Sequence, residues 1–269
     1  MVGVLLSALA LALALFALTR KRLLWGVIGV GAHSLVLAGL YLVLAAPDVA
    51  LAQAAIGFGL VTFIYLLAVR HTGKLVVAAC EAYPLLYQEG ERIAGLEWEM
   101  LVRFARSLHR ELEVIWVPRS EIPRLLESGE ADLGAGGYLP RAGEKVLLSR
   151  PLLPTRLVTV RSGAGPLGAV AGDPGEDQLP SGGRTFEDAE TLRQVLERGE
   201  LGGAVVDILR LRGWLLQGLK PQEASYGEET AFRIAVAPTE PEIHKALDSF
   251  LEELERTGEW KKLVERYLG

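Results

Sequence analysis

The 269-residue chain contains a single cysteine, Cys80, no asparagine and two methionines. One thiol excludes a disulfide-stapled secreted scaffold, and Cys80 reads as a small buried residue rather than a nucleophile. Histidine is also scarce: His33, His71, His109 and His244 are scattered without metal-ligand spacing, and no serine elbow or phosphate loop accompanies them. Gly134-Ala-Gly136 is too short a glycine motif to cradle a phosphate. The chain therefore carries no catalytic constellation, and neither an enzymatic activity nor a cofactor or metal is expected. No basic run exceeds Thr19 to Arg22, which argues against nucleic acid as a partner. The missing asparagine, with Arg outnumbering Lys 21 to 7, points to a thermophilic source or to a GC-rich genome.

Charge itself is missing from the first 73 residues. Only Arg20, Lys21, Arg22, Asp48 and Arg70 lie there, a net charge of +3, whereas the remaining 196 residues carry a net of −8. The chain thus combines two solvent regimes, a membrane part and a soluble part. Three apolar stretches, Val2 to Leu18, Leu23 to Ala46 and Val49 to Val69, predict three transmembrane helices, since about 20 apolar residues cross about 30 Å of hydrocarbon. A cleaved signal peptide would place positive charge before its apolar run, and here the order is reversed. Basic residues favour the cytoplasmic side, and both Arg20 to Arg22 and Arg70 to Lys74 give an N-out, C-in topology.

Polar residues within these stretches are His33, Ser34, Gln53, Thr62 and Tyr65, with Asp48 in a short connection. His33 lies near the middle of its helix, either as a proton-relay group or as a neutral imidazole bonded to a neighbouring helix. Gly26, Gly29, Gly31, Ala32, Gly57 and Gly59 allow helices to approach closely and imply further packing partners. The stretch Gly31 to Arg70, with its Ser-Leu pair, Ala-Pro-Asp-Val-Ala-Leu connection and Gly-rich third run, resembles the small three-span subunit of membrane-bound hydrogenases and Mrp-type cation/proton antiporters. The resemblance implies an ion pathway near His33, Asp48 and Gln53, other membrane subunits as partners and a lipid bilayer as solvent. The family usually carries a glutamate at Gln53, and an amide cannot titrate.

From Lys74 onward, short apolar runs alternate with amphipathic stretches. Strands are expected at Leu75 to Ala79, Leu112 to Val117, Ala131 to Ala135, Arg156 to Val160, Ala169 to Ala171, Gly203 to Val206 and Arg233 to Ala237. Helices are expected at Glu97 to His109, Ile122 to Glu127, Glu187 to Arg198, Glu240 to Arg256 and Glu259 to Tyr267. Interleaved strands and helices predict a mainly parallel sheet covered on both faces.

The order of Leu75-Val-Val-Ala, Tyr83-Pro-Leu-Leu-Tyr87, Gly95-Leu-Glu-Trp-Glu-Met-Leu101, Leu126-Glu-Ser-Gly-Glu-Ala-Asp-Leu133, Leu148-Ser-Arg-Pro-Leu152 and Arg256-Thr-Gly-Glu-Trp260 resembles the family 3 solute-binding proteins. That resemblance implies an α/β two-lobed periplasmic-binding-protein-like domain over 74–269, with 74–158 and 233–269 in one lobe and 159–232 in the other. An amino-acid zwitterion needs a cation for its carboxylate, a carboxylate for its ammonium and an apolar wall. The resemblance places Tyr83 as the aromatic wall, Arg141 after Gly136-Gly137 as the carboxylate binder, Asp207 as the ammonium binder and Gly172 as a backbone donor. The bland alternatives are a packing aromatic, a surface loop arginine and a strand-end cap. The chain departs from the family in lacking Thr-x-Thr before Arg141, in a connection about two residues short, and in Asp173-Pro174 where members offer Ser or Thr. An added carboxylate there would repel an anionic ligand.

Two readings follow: a membrane subunit of a proton- or cation-translocating complex with a fused sensing or docking domain, or a membrane-tethered receptor for a small amino-acid-like solute. A third is a lobe that docks on a partner and binds nothing. The charge rule puts the soluble domain in the cytoplasm, whereas the solute-binding resemblance puts it outside.

Overall fold

The computed structural model describes residues 2–19, 23–63 and 73–269. They form two compact units, one made up of the helical residues up to Gly73 with Leu108–Arg110, the other of Lys74–Ser107 and Glu111–Gly269. In the helical unit, α1 (Val2–Thr19) and α2 (Leu23–Val43) are long and apolar enough to cross a membrane. A third helix, α3 (Pro47–Ala52), starts on Pro47 and runs on as a π-helix over Gln53–Val61, with helical residues to Phe63. The rest of the third expected span, with Tyr65, lies outside the described residues, as do the basic residues Arg20 to Arg22, Arg70 and His71 used for orientation.

The small residues sit at helix contacts. A Cβ on Gly29 would come within 3.0 Å of the Ala17 side chain of α1, and one on Gly31 within 2.9 Å of Thr62 Oγ1. Elsewhere the unit is apolar at its surface, with Val4, Leu11, Leu18, Leu42 and Leu51 all exposed. His33 Nδ1 lies 2.9 Å from the Ala10 carbonyl, so that nitrogen carries the proton and donates between helices. The Gln53 amide lies over Gly57, where a Cβ would meet Nε2 at 2.7 Å and Ser34 Oγ at 3.2 Å. Asp48 is in the first turn of α3.

The α/β unit is built from β1 (Lys74–Ala79), the hairpin β2 (Tyr87–Glu89) and β3 (Arg92–Ala94), α4 (Leu96–Ser107), β4 (Glu111–Trp116), α5 (Ile122–Ser128) and β5 (Leu133–Tyr138). It continues through β6 (Leu147–Leu148), β7 (Leu153–Arg161), β8 (Leu167–Val170), β9 (Arg184–Phe186), α6 (Ala189–Glu197), β10 (Gly203–Asp207), α7 (Ile208–Leu216), β11 (Glu223–Val236), α8 (Pro241–Arg256) and α9 (Glu259–Leu268). Periodicity explains the helices. In α8, Ile243, Leu247, Leu251 and Leu254 recur on one buried stripe, and α5 stops at Gly129, whose φ of 71° suits a left-handed cap.

Strand order is β4-β1-β5-β11-β7-β10-β8-β9. Pairing is parallel in β4-β1-β5 and in β10-β8-β9, but β11 runs antiparallel to both β5 and β7, and β7 antiparallel to β10. The expected mainly parallel sheet is therefore mixed, because β7 and the 14-residue β11 lie side by side across the middle. The C-terminal end of β11 closes the first lobe's sheet, and its N-terminal part pairs with β7 in the second. One core, around Ala78, Ile122, Leu126 and Tyr138, underlies the first lobe; another, around Val158, Leu192, Val206 and Trp214, fills the second. Burying each valine, leucine or isoleucine among them contributes about 1.5–3 kcal/mol.

Candidate functional site

The C-terminal ends of the parallel strands of both lobes converge on one cleft, as open α/β sheets dictate. Its volume is about 450 Å3, and it is lined from β1 by Cys80 and Glu81, from β4 by Trp116 and Arg119, and from the second lobe by Glu187, Asp188 and Arg210. Cys80 donates to the Gly136 carbonyl at 3.3 Å, and burial pushes its thiol up to about 12, so it is not a nucleophile at neutral pH.

Arg119 enters from the turn after β4. Val117-Pro118 ends the strand, a short 3₁₀ turn follows at Arg119–Glu121, and the guanidinium is 1% exposed. It lies 3.8 Å from the centroid of the Tyr138 ring. Its Nη2 donates to the Leu139 carbonyl at 2.7 Å and to Glu144 at 3.2 Å, while Nε faces Asp173 Oδ1 at 3.6 Å. Tyr138 donates its hydroxyl to the other Glu144 oxygen at 2.7 Å, and burial, with Glu144 beside it, holds the phenol well above its usual range.

The second lobe brings the opposing charges. Asp207 ends β10 and caps α7, accepting from the Leu209 and Arg210 amides at 3.0 and 2.9 Å. Its other oxygen lies 3.3 Å from Arg210 Nε, and Arg210 Nη1 donates to Asp173. Burial raises the Asp207 pKa, and the Arg210 charge works against it. Burial also works against the charge of Arg210, but Asp173 and Asp207 outweigh it and leave its pKa above the ordinary value.

Behind the cleft, Glu97 of α4 is 1% exposed and accepts from the amides of Gly136 at 2.7 Å and Gly137 at 3.1 Å. Burial pushes its carboxyl up to about 7 against those two donors. Gly136 has φ +100°, and a Cβ there would collide with the Cys80 carbonyl, so only glycine fits this close approach.

Of the expected site residues, the structure brings Asp207, Gly172 and Arg141 to the lobe junction and leaves Tyr83 away from it. Tyr83 is 64% exposed, packs on Tyr87 with ring centroids 4.9 Å apart, and is not among the cleft's lining residues. The Gly137 amide is taken by Glu97. Arg141 does not line the cleft: it reaches across the lobe junction, where Nε donates to Asp177 at 3.0 Å and Nη1 to Glu176 at 2.7 Å. The Asp177 hydrogen bonds raise the Arg141 pKa, and the same bonds lower that of Asp177. Gly172, at φ +84°, donates to Glu176 at 2.8 Å. Arg119, Arg210, Trp116 and Glu97 are not among the expected residues. The strand-end rule was the available signal for Arg119, and the three-residue spacing from Asp207 the one for Arg210.

The MbhD family model, for one component of MBH, matches residues 8–74, and that for bacterial extracellular solute-binding proteins, family 3, matches residues 75–269. No curated protein matches. Among solved structures, a mutant ArgBP from T. maritima is 18% identical with a TM-score of 0.66, covering 76% of this chain and 98% of that one. The arginine-, lysine-, histidine-binding protein ArtJ from Geobacillus stearothermophilus is 16% identical (TM-score 0.63, 73% and 95% covered). The ancestral amino-acid-binding protein AncCDT-1, a precursor of cyclohexadienyl dehydratase, is 17% identical (0.66, 77% and 100%). These likenesses show the two-lobed fold, and the family match over more than half the chain agrees with the converging strand ends: after its MbhD-like helices, this chain belongs to family 3 of the bacterial extracellular solute-binding proteins.

Proposed function

We propose that the chain is a non-enzymatic membrane subunit of a proton- or cation-translocating complex, in which the MbhD-like helices dock with other membrane subunits and the α/β unit senses a small basic solute. The carrying observation is the direct abutment of the two matched segments, 8–74 and 75–269, in one chain. The exposed apolar surface of α1 and α2 and the small-residue contacts support docking within a bilayer. His33, Asp48 and Gln53 are the polar groups we assign to an ion path there. Co-purification of the tagged full chain with antiporter-like membrane subunits tests this reading, and recovery as a lone monomer from native membranes would count against it.

The solute class rests on the cleft. Glu81, Glu187 and Asp188 set acidic groups at its exposed rim, Trp116 offers a π-face, and the buried arginines are paired with carboxylates of the chain. Such a lining attracts an ammonium or guanidinium group, and ArtJ, which shares the fold, is an arginine-, lysine-, histidine-binding protein. A tethered receptor serving a transporter is the second reading, favoured by the presence of the cleft. Sidedness separates the two. With three spans the charge rule puts the α/β unit in the cytoplasm, and a cysteine added at exposed Ser181 of a Cys80→Ala chain reports it. Labelling by an impermeant reagent in intact cells would favour the receptor.

A further inference from the structure

Each of the three arginines at the lobe junction, Arg119, Arg141 and Arg210, is already held by a carboxylate of the chain. Asp173, in the turn after β8, is 3% exposed; one oxygen accepts from Arg210, and the other faces Arg119 of the opposite lobe at 3.6 Å. Beside it, Gly172 presses on the first lobe so closely that a Cβ would lie 2.7 Å from the Ser120 nitrogen. Arg141 ties the same turn to the first lobe through Glu176 and Asp177. A guanidinium is the group that pairs with the carboxylate of a free amino acid, and here two of them converge on a carboxylate of the chain.

We propose that Asp173 is an internal stand-in for a ligand carboxylate: it holds the two lobes together without a solute and sets the cleft's specificity against solutes that carry an α-carboxylate. The inference rests on the reading that the cleft takes a small basic solute. The internal fit is incomplete. Asp173 Oδ1, Arg119 Nε and Nη1, and Arg210 Nε are buried without hydrogen-bond partners among the described residues. Asp173, between Gly172 and Pro174, is bonded to Arg210 but stays 3.6 Å from Arg119 Nε, whereas an untethered carboxylate is free of that backbone constraint. A solute carboxylate must displace Asp173 before it reaches either arginine. An amine or guanidine without a carboxylate needs only the acidic rim and Trp116 for its cation and enters without that competition.

The test uses the full chain in detergent with L-arginine and with agmatine, which keeps the guanidinium and lacks the carboxylate. Wild type is expected to bind agmatine at least as well as L-arginine. Asp173→Ser is expected to strengthen L-arginine binding about tenfold or more, the worth of one charge-assisted hydrogen bond, without strengthening agmatine binding. Hydrogen exchange in 118–122 and 170–178 should speed up in the variant and slow again with L-arginine. Wild type preferring L-arginine, with Asp173→Ser weakening it, would overturn the proposal. If neither probe binds either protein, the basic-solute reading fails, while unchanged exchange in Asp173→Ser would still sink the closure role separately. Asp173→Asn, nearly isosteric, guards against misfolding: if both variants lose protection in β10, Asp173 is merely structural and the proposal falls.

Discussion

Glu97 gives the sharpest prediction about the fold that carries the cleft. Its carboxyl is buried in α4 and holds the amides of Gly136 and Gly137, which set the end of β5. Burial pushes its pKa up to about 7 from the ordinary 4.5. A raised folded pKa means that the folded state binds the proton more tightly than the unfolded chain. The resulting stabilisation is fully present below about pH 4.5 and is lost as pH rises through about 7. At about 1.4 kcal/mol per pH unit, the difference between those two values amounts to about 3 kcal/mol. Glu97→Gln cannot titrate, so wild type minus variant isolates this residue from all other groups. The assay is urea unfolding of the full chain at pH 4 to 8, followed by the fluorescence of Trp98, Trp116, Trp214 and Trp260. The difference in stability should change by about 3 kcal/mol across the window, with wild type losing ground as pH rises. A difference that stays constant from pH 4.5 to 8 would refute the assignment of a buried, proton-binding carboxyl.

Arg141→Ala should cost under about 1 kcal/mol, because the Arg141 pairs are partly solvated, and should leave solute binding intact. Arg119→Ala should cost more, about 3 kcal/mol, by taking the buried cation from between Glu144 and Asp173, which keep only their Tyr138 and Arg210 partners; a reversed ranking in thermal melts would contradict the buried ion pairing of Arg119. Asp207→Ala removes a helix cap and a buried ion-pair partner, with an expected loss of about 2–4 kcal/mol measurable by urea titration; a loss below about 1 kcal/mol would contradict the capping geometry. Gly136→Ala should destabilise by at least about 2 kcal/mol through collision with the Cys80 carbonyl, whereas Gly172→Ala should raise hydrogen exchange at Ser120 by parting the lobes.

Much of this architecture is legible in the residue order. The helices predicted at Glu97 to His109 and Glu240 to Arg256 appear as Leu96–Ser107 and Pro241–Arg256, since a stripe of leucines every three or four residues has one way to be buried. The strand expected at Arg233 to Ala237 is only the end of β11, whose first half, Glu223 to Glu229, is exposed and polar and so shows no apolar run. The helix Ile208–Leu216 is equally hidden, because its start is marked by Asp207, which also fits a ligand role. Asp207 and Gly172 are expected as ligand-binding residues and lie at the lobe junction; Arg119 carries only the strand-end signal, and a single arginine after a Val-Pro turn otherwise looks like a surface arginine.

The boundary near residue 73, most of the larger strands and helices after it and the kinship of both parts can be read from the residues alone, because these depend on composition and on periodicities local to each segment; the short strands β2, β3, β6 and β9 and the helix α7 cannot. Which arginine lies in the cleft is settled only once the chain has folded. Arg141 and Arg119 are 22 residues apart, and both follow strand ends. What separates them is the approach of the second lobe, which offers Glu176 and Asp177 to one and Asp173 to the other. Such pairings are set by distances between lobes, and no local pattern along the chain encodes them.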